Sequence, residues 1–466
     1  MPRLLEPLMT ADSPMHLMLF PMFTGAHVAG WRHADADPGR MHDIDFHVAV
    51  ARTAERGKFD AVFYSDAQGF RTIVGRDAHS RNDVARMDPL MLLSALAMTT
   101  SRIGLIATLS TSYNEPYAAA RRLASLDHIS HGRAGWNIVT STTRNEARNF
   151  GREVAIGHAE RYARAEEFVD VAKGLWDSWD DDAFVVDQAS GRFFDPDKLH
   201  GLDHHGEFFN VAGPLTSARS PQGYPVIVQA GASDAGQALA ARCAEVVFTS
   251  HPTLASAQAF YAEFKAKVAE FGRDPATCKI LPSIQPIVAD TEAEAQAIAA
   301  ELLSLIHPDV AIGMLELALG GAVDLRGCDP DGPLPPIPET EASKSTQAKV
   351  LAMAGNEGLS IVQLARRVAA TRTSSAIIGT PLQVADVLES WFRGGAADGF
   401  VITAPYLPGS LDAFVDGVVP ILQQRGLFRT EYRGTTLRDH LGLQRPANPR
   451  TGHPELHVEP EIWQPD

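Results

Sequence analysis

Residues 225–240, PVIVQAGASDAGQALA, join an apolar run to a turn of small residues and the start of a helix. The β-branched residues after Pro225 predict a buried parallel strand, and Ser233 is placed to act as the N-cap of the next helix. Such a junction directs free backbone N–H groups and a helix dipole to one point, where small side chains let a phosphate approach. Gly231, Ala232 and Ser233 are therefore candidate phosphate ligands. The alternative is an ordinary corner between a strand and a helix.

Further polar side chains lie at or near the ends of other apolar runs. Asp66 follows FDAVFYS, where its carboxyl could hydrogen-bond a ligand or cap the next helix. Thr108 and Asn137 carry hydroxyl and amide groups that could hydrogen-bond a ligand, or only make hydrogen bonds in the interior of the barrel. Ser141 ends the segment that contains Asn137. The phenol of Tyr162 lies near the start of a predicted helix, where it could bind a ligand or pack on the surface.

Histidine is the side chain best suited to proton transfer near neutral pH. His27 follows the first predicted strand, so it is the candidate catalytic acid, with loop packing as the alternative. His307 is a second candidate, in a segment that could cover a site. His204 and His205, with His200, resemble a metal cluster, but adjacent histidines point apart and no carboxylate pattern supports an ion. We therefore predict no metal site.

The apolar runs alternate with helix-like segments along most of the chain. Eight strands, each followed by a helix, fit a (β/α)8 barrel better than an open sheet, which usually begins with a glycine fingerprint that is absent here. The predicted strands are 16–23, 59–65, 103–109, 134–140, 225–230, 245–249, 279–288 and 399–404. The predicted helices are 42–56, 89–100, 116–130, 159–176, 234–243, 253–271, 291–305 and 381–394.

We expect a single domain over residues 1–466 with two insertions in βα connections and a C-terminal extension. Residues 177–222 are rich in Asp, Gly, His and Pro, and residues 306–375 contain a Pro-dense stretch, GCDPDGPLPPIPET. Active-site covers usually lie in such connections, and we expect the second insertion to be a mobile cover with little core of its own. The extension, about 425–466, should pack along a neighbouring surface.

Composition excludes several classes of protein. Lys plus Arg number 41 against 57 Asp plus Glu, a net charge of −16, and this diffuse acidity disfavours nucleic acid and anionic membranes as partners. Three cysteines without metal-type spacing indicate neither a disulfide framework nor a zinc site. The N-terminus lacks a signal peptide pattern and no apolar stretch approaches 18 residues, so we expect a cytoplasmic protein.

Several segments, taken in order, resemble one family. They are FTGAHVAGWRH, ERGKFDAVFYSD, STSYNEPY, GWNIVTS, ARNFG, ERYARAEEF, LWDSW, SPQGYPVIVQAGASDAG, IGTPLQVAD and RGLFRTEY. The ordered set, over roughly residues 15–445, is similar to the flavin-dependent monooxygenases of the bacterial-luciferase superfamily. The branch with nitrilotriacetate, EDTA, dibenzothiophene-sulfone and long-chain-alkane monooxygenases matches best.

The resemblance implies a luciferase-like TIM barrel that binds reduced FMN at the carboxyl ends of its strands. It implies a separate NAD(P)H-dependent flavin reductase that supplies FMNH2, and dioxygen that adds to the flavin to give an oxygenating peroxide. The cofactor residues that it implies are Asp66, Thr108, Asn137, Ser141, Tyr162, Gly231, Ala232 and Ser233. Relatives often have serine or methionine at position 232 and histidine at position 142, where this chain has Ala232 and Thr142, so contacts at these two positions are in doubt. We expect a homodimer or homotetramer.

Two other functions stay open: a flavin or deazaflavin oxidoreductase that transfers hydride without oxygen, and a non-catalytic protein that stores or senses FMN. For the oxygenase, the substrate-binding candidates are Phe20, Phe23, His27, Phe248 and His307. Together with Phe63, Phe70 and Trp136, these aromatic residues suggest apolar pocket walls. Such walls favour a sulfone, a heteroaromatic or a hydrocarbon over a polycarboxylate, which would need an arginine cluster.

Overall fold

Eight parallel strands close into a barrel in the computed structural model, which describes residues 14–22, 24–70, 80–231, 233–321, 323–339, 344–370 and 375–452. The barrel strands are β1 (His16–Leu19), β2 (Ala61–Tyr64), β3 (Gly104–Ser110), β4 (Ala134–Val139), β7 (Val226–Gln229), β8 (Val246–Thr249), β9 (Lys279–Val288) and β11 (Gly399–Ile402). Each pairs in parallel with its neighbours, and β11 returns to β1. The predicted (β/α)8 barrel is confirmed, with all eight strands where the apolar runs lie.

Side chains alternate along each barrel strand between two apolar clusters. On β3, Ile106 belongs to the cluster inside the barrel, whereas Leu105 and Ala107 belong to the layer between the strands and the helices. This alternation follows from the two-residue period of a strand. The first strand ends at Leu19 rather than at residue 23, because Pro21 has no N–H to continue the ladder.

The helices fill the connections between the strands. They are α1 (Ile44–Arg56), α2 (Pro89–Ala97), α3 (Pro116–Ile129), α4 (Arg144–Asn149), α5 (His158–Trp176), α6 (Asp234–Cys243), α7 (Leu254–Glu270), α8 (Glu292–Ser304), α9 (Pro308–Ala318), α10 (Lys344–Glu357), α11 (Ile361–Ala370), α12 (Pro381–Arg393), α13 (Gly409–Ala413), α14 (Val419–Gln424) and α15 (Leu437–Leu441). Within the described ranges, no single helix has the length and apolar composition to cross a membrane; α8 and α9 meet both criteria only as a pair bent by 85°.

The segment 306–375 differs from its expected form. Instead of a segment with little core, it contains α9, α10 and α11, whose buried residues Val310, Leu315 and Leu364 form one apolar cluster. The same cluster includes Val28 and Ala29 from the connection after β1. The segment ends in an additional strand, β10 (Ser375–Gly379), that extends the ladder of β9. Apolar helix faces around the Pro-dense stretch supply this core.

The segment 177–222 contains a short hairpin of β5 (His204–His205) and β6 (Asn210–Val211). His204 Nε2 lies 3.0 Å from Glu167, and His205 Nε2 lies 3.1 Å from Asp203. His200 is buried, with Nε2 3.0 Å from Asp180. Each of these imidazoles therefore has its own carboxylate partner, and the three do not converge on one point.

The described part of the C-terminal extension packs against the amino ends of the barrel strands. Leu437 and Leu441 of α15 belong to the apolar cluster inside the barrel, and both side chains are inaccessible to solvent. Buried ion pairs hold the segment in place, between Arg429 and Asp60 and between Arg438 and Glu245. One end of the barrel is thus closed, which leaves its carboxyl end for a ligand.

Candidate active site

Thr108 and Asn137 form a hydrogen-bonded pair on adjacent strands near the carboxyl end of the barrel. The Asn137 side-chain amide donates to Thr108 Oγ1 at 3.0 Å, and each residue is only 2% exposed. Asn137 Oδ1 is buried without a hydrogen-bond partner among the described residues. Since Thr108 Oγ1 accepts this bond, its own proton remains to be donated. The pair therefore offers one donor and one acceptor side by side.

A second polar group lies at the start of α6. Ser233 is the N-cap of this helix, as predicted: its Oγ accepts from the Gly236 amide at 3.2 Å. The same hydroxyl donates to the phenol oxygen of Tyr162 at 3.3 Å. A Cβ on Gly236 would lie 2.9 Å from this oxygen, and one on Gly231 would lie 3.0 Å from the Gly236 Cα. A side chain at position 231 or 236 would therefore be too close to its neighbours, so this turn requires glycine at both positions.

A cation lies beside this turn. The Arg161 guanidinium is 5.6 Å from the centre of the Tyr162 ring, and its Nε donates to Thr140 Oγ1 at 3.3 Å. A hydroxyl, a phenol, an arginine and the amino end of a helix on one surface make a site suited to a phosphate. Arg161 is part of the ERYARAEEF motif, but the sequence did not predict a role for it.

Asp66 lies in the loop that follows β2. Its Oδ1 accepts from the amide of Ala67 at 2.8 Å. Burial raises the pKa of the Asp66 carboxyl above its usual range, and the nearby carboxylates Asp88 and Glu146 act in the same direction. Arg86 and the Ala67 amide partly oppose this shift. The carboxyl therefore holds its proton to a higher pH than an exposed aspartate does.

The hydroxyl of Ser141 is already engaged within the protein. Ser141 is buried, its Oγ lies 2.8 Å from Ser110 Oγ, and it donates to the Glu146 carboxylate at 3.3 Å. Its backbone amide donates to Ser112 Oγ at 3.0 Å. The structure thus gives Ser141 a connecting role between the ends of β3 and β4. Sequence reasoning did not single out Glu146, although T-x-x-E at residues 143–146 is a helix-capping pattern.

His27 is held rigidly in the connection after β1. Its backbone amide donates to Pro405 O at 3.1 Å, and its Nδ1 accepts from the amide of Ala29 at 3.2 Å. The ring proton therefore lies on Nε2. The imidazole is 4% exposed, and burial lowers its pKa from 6.5 to about 4. At neutral pH, His27 is a neutral hydrogen-bond donor, not the imidazolium that proton delivery would need.

The aromatic candidates separate into two groups. Phe63 joins Phe20 and Phe248 in one cluster at the carboxyl end, with ring centres 4.6 and 5.0 Å apart. Trp136, expected in the pocket wall, instead faces the helices, where its ring lies 5.8 Å from that of Phe168. The pocket-wall expectation for Trp136 is wrong because its side chain alternates with that of Asn137.

The other two described candidates for the pocket are Phe70 and His307. Phe70 is 52% exposed on its loop. His307 is the N-cap of α9, and its Nδ1 accepts from the Asp309 amide at 3.2 Å. Phe23 and Ala232 lie outside the described residues.

The described residues form a parallel β/α barrel, whose carboxyl end carries a donor–acceptor pair, an aromatic cluster and a turn suited to a phosphate. This combination fits a phosphorylated planar cofactor, and it defines a flavin-dependent enzyme of the barrel class. The sequence model of the luciferase-like monooxygenases matches residues 18–398. The chain therefore belongs to the luciferase-like monooxygenase family, and it is a flavin-dependent monooxygenase.

Similar proteins agree with this assignment. N-acetyl-S-(2-succino)cysteine monooxygenase of Bacillus subtilis (strain 168) is 50% identical over 428 residues, covering 91% of this chain and 96% of that protein. Component A of nitrilotriacetate monooxygenase from Aminobacter aminovorans is 48% identical over 448 residues, covering 94% and 99%. A riboflavin lyase structure with modified FMN superposes with a TM-score of 0.82 at 31% identity, covering 96% of this chain and all of that one.

Proposed function

We propose that the chain is the oxygenase component of a two-component system. It binds FMNH2 from a separate NAD(P)H-dependent flavin reductase and uses dioxygen to oxygenate a small organic substrate. The observation that carries the proposal is the Thr108 hydroxyl proton beside Asn137 Oδ1, which has no hydrogen-bond partner among the described residues. Both lie at the same end of the barrel as the turn before α6. An isoalloxazine ring presents the complementary acceptor and donor along one edge.

The residues of the site fit FMN in three places. Thr108 and Asn137 would hold the polar edge of the ring, with Asp66 at its side. Tyr162 and Ser233, with the glycine-lined amino end of α6 and the Arg161 charge, would hold the phosphate. When bound, reduced FMN supplies the electrons that activate dioxygen. The protein positions the ring, excludes water and controls protons around it.

His27 would stabilise negative charge on oxygen by hydrogen bonding through Nε2–H. Its low pKa keeps the imidazole neutral over the physiological range, so the hydrogen bond persists without a change in charge. His27 would therefore act as a neutral hydrogen-bond donor rather than as an imidazolium that delivers a proton. The rigid attachment to Pro405 and Ala29 fixes where the donor lies.

The substrate that the aromatic cluster at the carboxyl end favours is an uncharged sulfone, a heteroaromatic or a related compound. Phe20, Phe63 and Phe248 supply apolar contacts, and the guanidinium of Arg81 is paired with Asp83 at 2.7 Å. The two relatives described above are named for carboxylate substrates, which makes a small organic acid the alternative. Arg71 and Arg76, which with Arg81 are the arginines of the loop after β2 that could bind a polycarboxylate, lie outside the described residues.

The reductase partner is proposed because the nitrilotriacetate relative is itself named as component A. Reductases of this kind consume NAD(P)H, so the proposal places both components in the cytoplasm. We also propose that the chain forms a homodimer or homotetramer, which light scattering of the purified protein would test.

The decisive experiment is a coupled assay with FMN, NADH, a generic flavin reductase and catalase. The substrate panel contains aryl sulfones, heteroaromatics, aminopolycarboxylates and alkanes. We expect an oxygenated product that carries one atom from labelled dioxygen, and tighter binding of reduced than of oxidised flavin. Product formed without oxygen would instead support hydride transfer. Tight binding of oxidised flavin with no turnover on any substrate would support a storage or sensing protein.

A further inference from the structure

The loop that follows β2 rests on a single turn of α4. Asn149 Nδ2 donates to the Gln68 carbonyl at 2.7 Å, and Asn145 Nδ2 donates to the Phe70 carbonyl at 2.8 Å. The Gln68 amide donates in turn to the Glu146 carboxylate at 3.3 Å. Three side chains of one short helix therefore hold consecutive parts of this loop by their backbone groups.

The loop also lies against the backbone of α4. A Cβ on Gly69 would lie 2.7 Å from the Glu146 nitrogen and 2.9 Å from the Asn145 carbonyl carbon. Such distances leave no room for a side chain at this position. The close approach lets the Asn145 and Asn149 amides reach the loop.

Glu146 connects this loop to the other side of the site. The carboxylate that accepts from the Gln68 amide also accepts from Ser141 Oγ at 3.3 Å and from Thr143 Oγ1 at 2.9 Å. Ser141 follows β4, the strand that carries Asn137. One buried carboxylate thus links the end of β2 to the end of β4.

We propose that Glu146 is a positioning residue for Asp66: it fixes the loop that carries Asp66 against the end of β4, and it places a negative charge beside that carboxyl. The structural part stands on the contacts above, whereas its consequence for flavin binding rests on the proposed function.

The charge of Glu146 has a defined effect on Asp66. The charged groups that face Asp66 are Asp88 and Glu146, which raise its pKa, and Arg86, which lowers it. Burial raises it most. Removal of the Glu146 charge should therefore lower the pKa of Asp66. A protonated Asp66 donates a hydrogen bond and an ionised one only accepts, so Glu146 contributes to the pH at which Asp66 changes its contact with a bound ring.

The test separates the charge from the attachment. Glu146→Gln keeps an acceptor for the Gln68 amide and removes the charge, while Asn149→Ala removes one attachment and keeps the charge. In the full chain without flavin, the Ala67 amide shift reports the ionisation of Asp66, because this N–H donates to Asp66 Oδ1. We expect Glu146→Gln to move the titration midpoint of Asp66 to lower pH. Asn149→Ala should speed hydrogen exchange of the loop amides about five- to tenfold.

Glu153→Gln is the matched control, because Glu153 lies in the same connection, is 81% exposed and pairs with Arg144. It should change neither the midpoint nor the exchange rates. An unchanged midpoint in Glu146→Gln together with unchanged exchange in Asn149→Ala overturns the proposal. A shifted midpoint without a matching shift in the pH profile of FMN affinity keeps Glu146 as a positioning residue and removes Asp66 from the flavin site.

Discussion

Ser233 Oγ donates to the phenol of Tyr162 at 3.3 Å, although the two residues lie 71 positions apart. Ser233 begins α6 and Tyr162 lies in the first turns of α5, so the contact joins the connections after β7 and β4. The same Ser233 oxygen accepts from the Gly236 amide, so one hydroxyl both caps α6 and contacts Tyr162. The predicted N-cap is confirmed, and phosphate binding at this turn stays a prediction.

Ser233→Asp should weaken FMNH2 binding sharply. Aspartate is a good N-cap, so the helix should persist, but its charge would repel the phosphate. We expect a loss of about 2–4 kcal/mol in binding free energy, or about 30- to 1000-fold in Kd, by anaerobic titration. Thr253→Asp at the N-cap of α7 adds the same charge elsewhere and should have no effect. Unchanged affinity in a folded Ser233 variant would remove this residue from the site.

Thr108→Val should weaken both the flavin site and the fold. The change removes a donor for the ring and leaves the buried Asn137 amide without its acceptor. We expect about 1–3 kcal/mol less stability in the flavin-free protein and about tenfold weaker FMN binding. Thr108→Ser retains the hydroxyl and should restore most of both. Equal flavin affinity in the two variants would mean that the ring binds elsewhere.

His27→Ala should leave FMNH2 binding nearly intact and lower the product formed per NADH consumed. Because the hydrogen bond from His27 is lost, more of the NADH consumed should yield hydrogen peroxide, which is measured in a parallel assay without catalase. His27→Gln, which retains a side-chain N–H donor, should keep part of the coupling. Full coupling in the alanine variant would assign His27 to loop packing.

The pH dependence of stability should carry a signature of His27. Its pKa is about 4 in the folded protein, below the ordinary value of 6.5. Between these two pH values His27 is protonated in the unfolded chain but not in the folded one. The free energy of unfolding therefore falls as the pH drops from about 6.5 to about 4. The contribution is on the order of 3 kcal/mol. Urea unfolding at pH 7.5 and 4.5 should show a smaller difference for His27→Gln than for the parent, and an equal difference would contradict the shift.

Leu437→Ala should destabilise the protein without touching the site. The Leu437 side chain is fully buried at the amino end of the barrel, so its truncation should cost about 2–5 kcal/mol. Leu382→Ala, at a side chain that is 54% exposed, is the control and should cost far less. Chemical unfolding measures both, and similar losses would show that the extension does not seal the barrel.

The segment 306–375 should become more resistant to proteolysis when reduced flavin and substrate bind. Its apolar cluster includes Val28 and Ala29, next to His27, so a ligand at the barrel mouth would stabilise the segment through that connection. Limited proteolysis with and without ligands should show slower cleavage in the Pro-dense stretch. Equal rates would identify a fixed structural element.

Sequence patterns located much of the fold and part of the candidate site. Runs of β-branched and apolar residues marked all eight barrel strands, because strand formation depends on local side-chain shape and burial. The small-residue turn before Ser233 marked a helix start for the same local reason. The Pro-dense stretch was misleading, since the helices of 306–375 bury their apolar faces against one another and against Val28.

The sequence by itself determined the barrel, the family and the N-cap at Ser233, because each depends on contiguous residues or on the order of motifs. Only the tertiary structure decided which polar groups remain free for a ligand. Trp136 faces the helices outside the barrel, and the Ser141 hydroxyl donates to Glu146. The hydrogen bond from Ala29 to His27 Nδ1 places the ring proton on Nε2. Hydrogen bonds such as that from Gln68 to Glu146 join positions 78 residues apart. No local pattern records such pairings, because they depend on where the strands bring distant loops together.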